Sequence, residues 1–441
     1  MKIILPEKVN RIIQTLQEND YEAYAVGGCV RDTILGRVPD DWDITTSATP
    51  FETKSLFART FDTGIEHGTI TVLIDKEAFE VTTYRIDGKY EDSRHPSEVT
   101  FTRSLREDLL RRDFTINAMA YNETEGLVDI FGGMVDLRKK TIRCVGDARA
   151  RFGEDALRIL RAVRFAAQLG FEIEKDTQNG ITELAPALAN ISAERIQVEL
   201  IKMLTSPNPG MLKTAYELGI TKVILPEFDA MMNTTQENPH HKYSVGEHTI
   251  KAIEAIRADK VLRLTMLFHD IGKPVMKKLD ENGVAHFKMH DSKGAEMTKE
   301  ILKRLKFDND TMNKVVKLVQ YHDYRMPAEP KNVRRAMNKI GEDIFPYYLE
   351  VRMADTLAQS EYLQEEKIQN IRDVRKRYEE ILEKKECVSL KTLAVTGSDL
   401  IADGMKPGKD IGMVLNKLLE YVIDHPEAND KAMLLKLKDK I

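Results

Sequence analysis

Long apolar runs are missing from this sequence of 441 residues, and cysteine is scarce. No stretch of about eighteen or more apolar residues occurs, so we predict no membrane-spanning helix and expect no membrane partner. The apolar stretch at residues 3–5 is too short for the core of a signal peptide. The three cysteines, Cys29, Cys144 and Cys387, are far apart and form no CxxC pair. This pattern favours a reducing, cytoplasmic compartment.

Internal repeats, low-complexity segments and a strong charge of either sign are also absent. The formal net charge is −5, which argues against indiscriminate binding along a phosphate backbone but leaves room for a local basic groove. Hydrophobic residues at 42% and charged residues at 31% are typical of globular proteins. The length predicts about two to four domains. No feature points to a protein partner.

Apolar periodicity divides the chain into a mixed first part and a helical remainder. A helix is predicted at residues 7–17, and strands are predicted at 23–26, 68–74 and 79–84. We expect four parts, namely a head at 1–144, a helical neck at 145–235, a second helical domain at 236–360 and a helical tail at 361–441. The highly charged segment 361–385 is predicted to be a solvated helix. The fold class is therefore α+β, with a small mixed sheet in the head.

A glycine pair and two aspartates in the head predict a phosphate and metal site. Gly27 and Gly28 follow a strand and precede a helix, so backbone N–H groups can approach a triphosphate there, with Arg31 in reach of a phosphate oxygen. Asp41 and Asp43 are two apart on a predicted strand and point to one face, as catalytic Mg²⁺ ligands must. Mg²⁺ can activate an attacking hydroxyl and stabilise a leaving pyrophosphate. Either motif alone is as easily a turn or a strand end, but together they resemble the nucleotidyltransferase superfamily that includes DNA polymerase β.

A third carboxylate, Glu80, lies on the predicted strand at 79–84. It can complete the metal site from the neighbouring strand. It can equally pair with Arg85, and the sequence leaves both interpretations open.

Five further motifs in a fixed order make the resemblance specific. They are RRDFTINAMA at 111–120, DIFGG at 129–133, DL at 136–137, EDALR at 154–158 and ERI at 194–196. Over residues 20–200 the chain resembles the class II tRNA nucleotidyltransferases. The resemblance implies a polymerase-β-like head and a Mg²⁺-dependent reaction. That reaction adds C, C and A to the 3′ end of tRNA from CTP and ATP, with pyrophosphate release and without a nucleic-acid template.

The same family contains bacterial poly(A) polymerases, which supply the alternative. Residues 64–69 and 80–83 look like the CCA-adding version. The loop at 84–99 resembles the flexible loop that complete CCA enzymes keep and CC-only enzymes lack. A poly(A) polymerase, or an enzyme that adds only A, shares many of these motifs and stays open.

Asp155 and Arg158 are candidates for selecting the base. Cytosine and adenine both present an amino donor beside a ring-nitrogen acceptor, so a carboxylate next to a guanidinium would admit them and reject uracil and guanine. The two residues are three apart on a predicted helix at 154–169, which makes their side chains neighbours. An ordinary salt bridge is the alternative. The resemblance also assigns Arg112, Arg161 and Arg164 to nucleotide binding, although helix geometry turns Arg164 away from Asp155.

Histidines and aspartates in the second half form another candidate metal site. Their order resembles the HD phosphohydrolases, whose four core ligands match His248, His269, Asp270 and Asp355. The extra ligands of two-metal members match His290 and His322. Imidazole and carboxylate ligands suit a transition-metal ion such as Mn²⁺, Fe, Co²⁺ or Ni²⁺. Unrelated surface histidines are the alternative.

These resemblances name the parts of the chain. They imply a nucleotidyltransferase head, a neck that selects nucleotides and binds RNA, an HD phosphohydrolase domain, and a tail that helps to hold tRNA. Three further histidines are candidates for facing a substrate: His240, His241 and His286. A protein that is mainly an HD phosphohydrolase is the remaining alternative.

Overall fold

Two compact units make up the chain. The computed structural model describes residues 2–88, 99–237 and 243–440. The units are Met1–Pro226 and Glu227–Ile441. The finer division into four parts remains a prediction. Most of the predicted loop at 84–99, together with His240 and His241, lies outside the described residues.

A seven-stranded mixed sheet forms the centre of the first unit. The strands of this region are β1 (Ala23–Val26), β2 (Ile44–Thr46), β3 (Thr60–Gly64), β4 (Thr69–Ile74), β5 (Glu77–Thr83), β6 (Arg85–Asp87), β7 (Val99–Phe101), β8 (Met119–Asn122) and β9 (Gly126–Asp129). The order in the sheet is β3-β4-β5-β2-β1-β8-β9, and β6 pairs with β7 separately. β2 runs parallel to β5, whereas the other neighbours are antiparallel. The predicted mixed sheet is confirmed.

The first helix, α1 (Glu7–Gln17), packs on the central strand β1. The predicted helical spacing is confirmed, because it buries Val9, Ile12, Ile13 and Leu16 along one face. Every residue of β1 is buried. A fully buried aliphatic side chain contributes roughly 1.5–3 kcal/mol, so this stripe fixes the helix against the sheet.

Helices connect several strands of the first unit and dominate it after β9. The helices that follow α1 are α2 (Gly28–Ile34), α3 (Pro50–Leu56), α4 (Leu105–Leu110), α5 (Gly133–Lys139), α6 (Ala148–Glu154), α7 (Leu157–Leu169), α8 (Lys175–Leu184), α9 (Ala193–Leu204), α10 (Leu212–Glu217) and α11 (Thr221–Ile224). A short parallel ladder joins β10 (Thr141–Ile142) to β11 (Glu172–Ile173). The contact between α7 and α9 is extensive and positions the arginines described below.

Among its described residues, the second unit has helices and one short ladder, β12 (Lys278–Leu279) with β13 (Ala285–His286). Its helices are α12 (Pro226–Met232), which begins at the boundary, α13 (Val245–Ala255), α14 (Lys260–Phe268), α15 (Lys273–Met276), α16 (His290–Arg304), α17 (Asn309–Tyr321), α18 (Pro330–Ile340), α19 (Phe345–Ala358), α20 (Gln364–Glu383), α21 (Gly397–Ala402), α22 (Lys409–Asp424) and α23 (Lys431–Leu437). No helix in the described ranges has the length and apolar character needed to cross a bilayer.

The charged helix α20 is more buried than its composition predicts. Ile371, Val374 and Ile381 are buried on one face. Val374 and Ile381 join the core around α18 and α19. The predicted helix is confirmed and most of its residues are exposed or partly exposed, but a few apolar residues at helical spacing also attach one face of it to the core.

Candidate active site and metal cluster

A sharp turn joins β1 to α2 at the predicted phosphate site. Gly27 has a φ of +85°, a left-handed value that side chains rarely adopt, and a Cβ there would lie 2.9 Å from Nη1 of Arg112. The helix begins at Gly28, and no described side chain caps its first turn. The backbone conformation therefore favours glycine at position 27, and a larger residue there would also displace the end of the Arg112 side chain.

The two predicted catalytic aspartates lie directly before β2. The strand starts at Ile44, so the prediction that Asp41 and Asp43 lie on a strand is wrong. The carbonyl of Asp43 nevertheless accepts a hydrogen bond of 3.0 Å from the N–H of Val26, which holds this segment beside β1. Asp41, Asp43 and Glu80 line one cavity of about 730 Å³.

Glu80 belongs to the same acidic group. It lies on β5, and the parallel pairing of β2 with β5 places it level with Asp43. Arg85, its alternative partner, donates a hydrogen bond to the carbonyl of His67. This arrangement favours a role for Glu80 in the cavity.

Negative charge is crowded in this cavity. Burial raises the pKa of the Glu80 carboxyl, and the charges of Asp43 and Asp41 raise it further. Burial also raises the pKa of Asp43, an effect that Arg112 opposes and Asp41 strengthens. A bound divalent cation would relieve this repulsion. The three carboxylates fit such an ion in type, although their ligand atoms do not all lie within 4.8 Å of one another.

Two arginines near the turn differ in how fully their donors are used. Arg31 is buried and donates to Asp32 at 2.9 and 2.7 Å and to Asn117 at 2.6 Å. Arg112 lies 3.6 Å from Asp108, and its buried Nε has no hydrogen-bond partner within the described residues. Arg112 therefore has one donor without a partner among the described residues, whereas three of the five N–H donors of Arg31 are already used.

Phe165, on α7, is surrounded by three of the predicted nucleotide-binding arginines. The guanidinium carbons of Arg31, Arg161 and Arg164 lie 4.9, 5.3 and 3.7 Å from the centre of its ring. Cation–π contacts contribute roughly 0.5–2 kcal/mol each. The ring therefore links α2, beside the glycine turn, to the arginine face of α7.

Arg161 and Arg164 also have carboxylate partners. Arg161 pairs with Asp113 at 2.7 Å, and Arg164 pairs with Glu199 at 2.7 Å. Burial alone would raise the pKa of Asp113, but the charge of Arg161 and a hydrogen bond from Asn117 outweigh it and lower the pKa to about 2. Asp113 is therefore ionised and holds Arg161 in place.

Asp155 and Arg158 are not a direct pair. The predicted helix at 154–169 is broken, because α6 ends at Glu154 and α7 starts at Leu157. Asp155 is extended between them and accepts a hydrogen bond of 2.9 Å from the N–H of Leu157. Its carboxylate pairs with Arg195 at 2.7 Å, while Arg158 pairs with Glu154 at 2.7 Å. The predicted i,i+3 contact is wrong for this reason, and the role in base selection stays a prediction.

Six predicted ligands come together in the second unit. They are His248 on α13, His269 and Asp270 after α14, His290 at the start of α16, His322 after α17 and Asp355 on α19. All are buried except His290, which is partly buried. Of the other histidines considered, His286 pairs with Asp280 at 2.9 Å. The alternative of unrelated surface histidines does not fit this convergence.

Backbone carbonyls fix the tautomers of the four clustered histidines. We assign the proton of each ring to Nδ1, because each Nδ1 faces a carbonyl oxygen. In chain order these belong to Ala358, Met266, Phe287 and Val319, at 3.2, 2.7, 2.8 and 2.7 Å. Each Nε2 then carries a lone pair. Two pairs of Nε2 atoms face each other, His248 with His269 at 3.1 Å and His290 with His322 at 3.2 Å. Lone pairs at this separation repel unless a cation lies between them.

Asp270 lies between the two histidine pairs. Its Oδ2 is 3.6 Å from Nε2 of His248 and 3.3 Å from that of His269. Its Oδ1 is 3.5 Å from Nε2 of His290 and 3.6 Å from that of His322. Ligand atoms spaced in this way suit ions about 2.0–2.2 Å from each ligand. The donors therefore fit two adjacent ions that share Asp270.

Charged neighbours surround the cluster. Oδ1 of Asp355 lies 3.0 Å from Nε2 of His248 and 3.7 Å from Nε2 of His269, so this carboxylate is next to the first histidine pair. Nζ of Lys273 lies 2.7 Å from Asp270. Arg352 donates to the carbonyl of His322 at 3.2 Å and lies 3.7 Å from Asp355. Contacts of this kind, made to the ligand residues by their neighbours, orient the ligands of metal ions in proteins.

Known proteins identify the family. Residues 23–143 match the Poly A polymerase head domain, residues 170–232 the RNA and SrmB-binding site of polymerase A, and residues 281–437 the tRNA nucleotidyltransferase domain 2. The CCA-adding enzyme of Pediococcus pentosaceus is 35% identical over 436 residues, which cover 99% of this chain and 98% of that protein. This chain belongs to the CCA-adding enzymes.

Solved CCA-adding enzymes share its fold. The Bacillus stearothermophilus enzyme, in complex with CTP, is 29% identical with a TM-score of 0.72, covering 99% of this chain and 98% of that one. The Thermotoga maritima enzyme, complexed with tRNA, is 20% identical with a TM-score of 0.62 over the whole of both chains, and shows the fold alone. CCA-adding enzymes are metal-dependent nucleotidyltransferases. The predicted enzyme class, polymerase-β-like head and helical body are confirmed.

Several residues of the site were missed by sequence reasoning. Arg195 lies in the recognised ERI motif, but its contact with Asp155 was not predicted. Asp113 lies in the RRD motif and holds Arg161. Phe165 carried no signal, because an aromatic residue on a helix is usually part of the core.

Proposed function

We propose that this CCA-adding enzyme adds C, C and A in turn to the 3′ end of tRNA. CTP and ATP are the substrates, pyrophosphate is released, and no nucleic-acid template is needed. The observation that carries the proposal is likeness to curated CCA-adding enzymes along almost the full length of both chains. We also propose a cytoplasmic location, because all three cysteines are free and buried, as suits a reducing compartment.

The head would carry out the transfer. Asp41 and Asp43, with Glu80, would hold Mg²⁺ in the cavity that they line. Bound Mg²⁺ would supply activation of the 3′-hydroxyl and charge neutralisation on the leaving pyrophosphate. Arg112, with its unused Nε donor, and the N–H groups at Gly28 would bind the triphosphate.

The neck would select the base. Asp155 offers only acceptors when ionised, and Arg158 offers only donors. Arg195 holds the first and Glu154 holds the second, so both groups are anchored before a nucleotide arrives. The side chains of the proposed selecting pair are therefore held by two other side chains rather than by an ion pair with each other.

Product length tests this proposal against the poly(A) alternative. The protein is incubated with Mg²⁺ and tRNA that lacks its last three nucleotides, with each NTP alone and then with CTP and ATP together. We expect two additions from CTP alone and three from the mixture, after which synthesis stops. Long products from ATP alone would identify a poly(A) polymerase instead.

A second function is favoured by the histidine cluster. We propose that the ligands of this cluster hold transition-metal ions and that residues 236–360 form an HD phosphohydrolase domain. The convergence of four Nε2 lone pairs on the two oxygens of Asp270 supports this proposal. The test is metal content of the purified protein, together with hydrolysis of phosphate monoesters and 2′,3′-cyclic phosphates with added Mn²⁺, Co²⁺ or Ni²⁺. A protein that binds no such ion under these conditions would contradict it.

A further inference from the structure

A cavity of about 910 Å³ opens beside the histidine cluster and shares His290 with it. Aromatic side chains in its wall are Phe287, Tyr321 and Tyr324. Four cationic side chains line it: Lys273, Lys288, Arg325 and Lys339. Only two carboxylates are among its described lining residues, Asp291 and Asp323. The cavity therefore has the charge to attract an anionic ligand.

Lys339 differs from Lys273 and Arg325 in this cavity. Lys273 pairs with Asp270 at 2.7 Å, and Arg325 pairs with Asp323 at 3.0 Å. Lys339 has no carboxylate partner within the part of the chain that is described. Its Nζ lies instead 4.7 Å from the ring centre of Tyr324 and 5.6 Å from that of Tyr321. Aromatic faces hold an ammonium in place without cancelling its charge.

We propose that Lys339 binds a second phosphate group of the molecule whose first phosphate group lies at the histidine cluster. The inference rests on the proposed phosphohydrolase function and names its substrate class, an organic phosphate that carries two separate phosphate groups. In the reaction, the oxygen of water bonds to phosphorus and the ester P–O bond breaks. One proton of the water goes to the leaving alcohol. A free nucleoside bisphosphate and an RNA end with a terminal 3′-phosphate both have this chemistry.

Kinetics on matched esters test the role of Lys339. The full chain, loaded with Mn²⁺, is assayed with adenosine 3′-monophosphate, adenosine 3′,5′-bisphosphate and a short oligoribonucleotide ending in a 3′-phosphate. Lys339→Met should raise KM for the two substrates with a second phosphate by about tenfold, the value of one charged hydrogen bond, and leave kcat unchanged. KM for the monophosphate should change less than about twofold. The substrate whose KM rises more in Lys339→Met, either the free bisphosphate or the RNA end, identifies the source of the ligand.

Lys331→Met is the matched control. Lys331 lies on the same helix, α18, pairs with Asp424 at 2.9 Å and does not line the cavity. It should change none of these constants. Calorimetric titration with adenosine 3′,5′-bisphosphate measures binding independently of hydrolysis, and so it separates the Lys339 anion site from the phosphohydrolase function. Nucleotide binding at the head should be the same in Lys339→Met and Lys331→Met, so a difference between these variants reports on the cavity. If Lys339→Met binds more weakly but the unmutated chain shows no hydrolysis, the phosphohydrolase proposal is wrong and the anion site at Lys339 is supported. Unchanged KM and unchanged binding would overturn the inference.

Discussion

Replacing Asp155 with alanine tests whether this residue selects the base or only stabilises the neck. The variant loses an ion pair of 2.7 Å with Arg195 and the acceptor for the N–H of Leu157 at 2.9 Å. Loss of such a helix-start acceptor costs about 1 kcal/mol, so the protein should still fold. Loss of a bidentate base contact costs about 1–3 kcal/mol, which corresponds to roughly ten- to a hundredfold in discrimination. We therefore expect slower use of CTP and ATP and weaker exclusion of UTP and GTP.

The assay is single-turnover incorporation of each of the four nucleotides onto tRNA that ends before CCA. Arg158→Ala should relax selection in the same way from the donor side. The Mg²⁺ dependence should not change, since neither residue lines the acidic cavity.

Arg195→Met is the control, because it removes the same ion pair but keeps the Asp155 carboxylate. That carboxylate remains anchored by the N–H of Leu157, so this variant should be slower yet still selective. If Asp155→Ala loses activity with all selectivity retained, and Arg195→Met behaves in the same way, the pair is a structural salt bridge and the reasoning fails.

Three further predictions test the two metal sites. Asp41→Asn and Asp43→Asn should each abolish nucleotide addition without lowering Tm, and near-normal transfer in both would refute the assignment. Glu80→Gln should raise the Mg²⁺ concentration for half-maximal rate by roughly tenfold, the effect seen even for outer partners of metal ligands; an unchanged requirement would make Glu80 structural. His269→Ala or Asp270→Ala should remove bound transition metal and the hydrolysis of phosphate monoesters or 2′,3′-cyclic phosphates while CCA addition continues. Equal loss of both activities in a folded variant would argue against independent sites.

Local patterns were sufficient where one element determines the outcome. The spacing of Ile12, Ile13 and Leu16 predicted α1, because burial of one helix face depends only on periodicity. The glycine pair predicted the turn after β1, since the φ of +85° at Gly27 is a local requirement. In both cases the physical cause lies within a few residues of the signal.

Contacts between distant residues were not predictable in the same way. The order of the histidines indicated a ligand set, but the position of Asp270 between two pairs depends on how several helices pack. Apolar periodicity runs through 154–169 and conceals the break at Asp155, which the side chain of Asp155 itself stabilises. Arg195 is chosen as a partner only because α9 packs on α7.

One aromatic ring connects the two ends of the proposed nucleotide site. Arg31 reaches Phe165 from the helix that follows the glycine turn, while Arg161 and Arg164 reach it from α7. If an anion drew Arg31 off the ring, the other two guanidinium groups would be left in contact with it, and their contacts on α7 would change. Thermodynamic linkage is reciprocal, so a base that orders α7 also changes how tightly the triphosphate is held. The affinity of the enzyme for the phosphates of a nucleotide would then depend on how well its base fits.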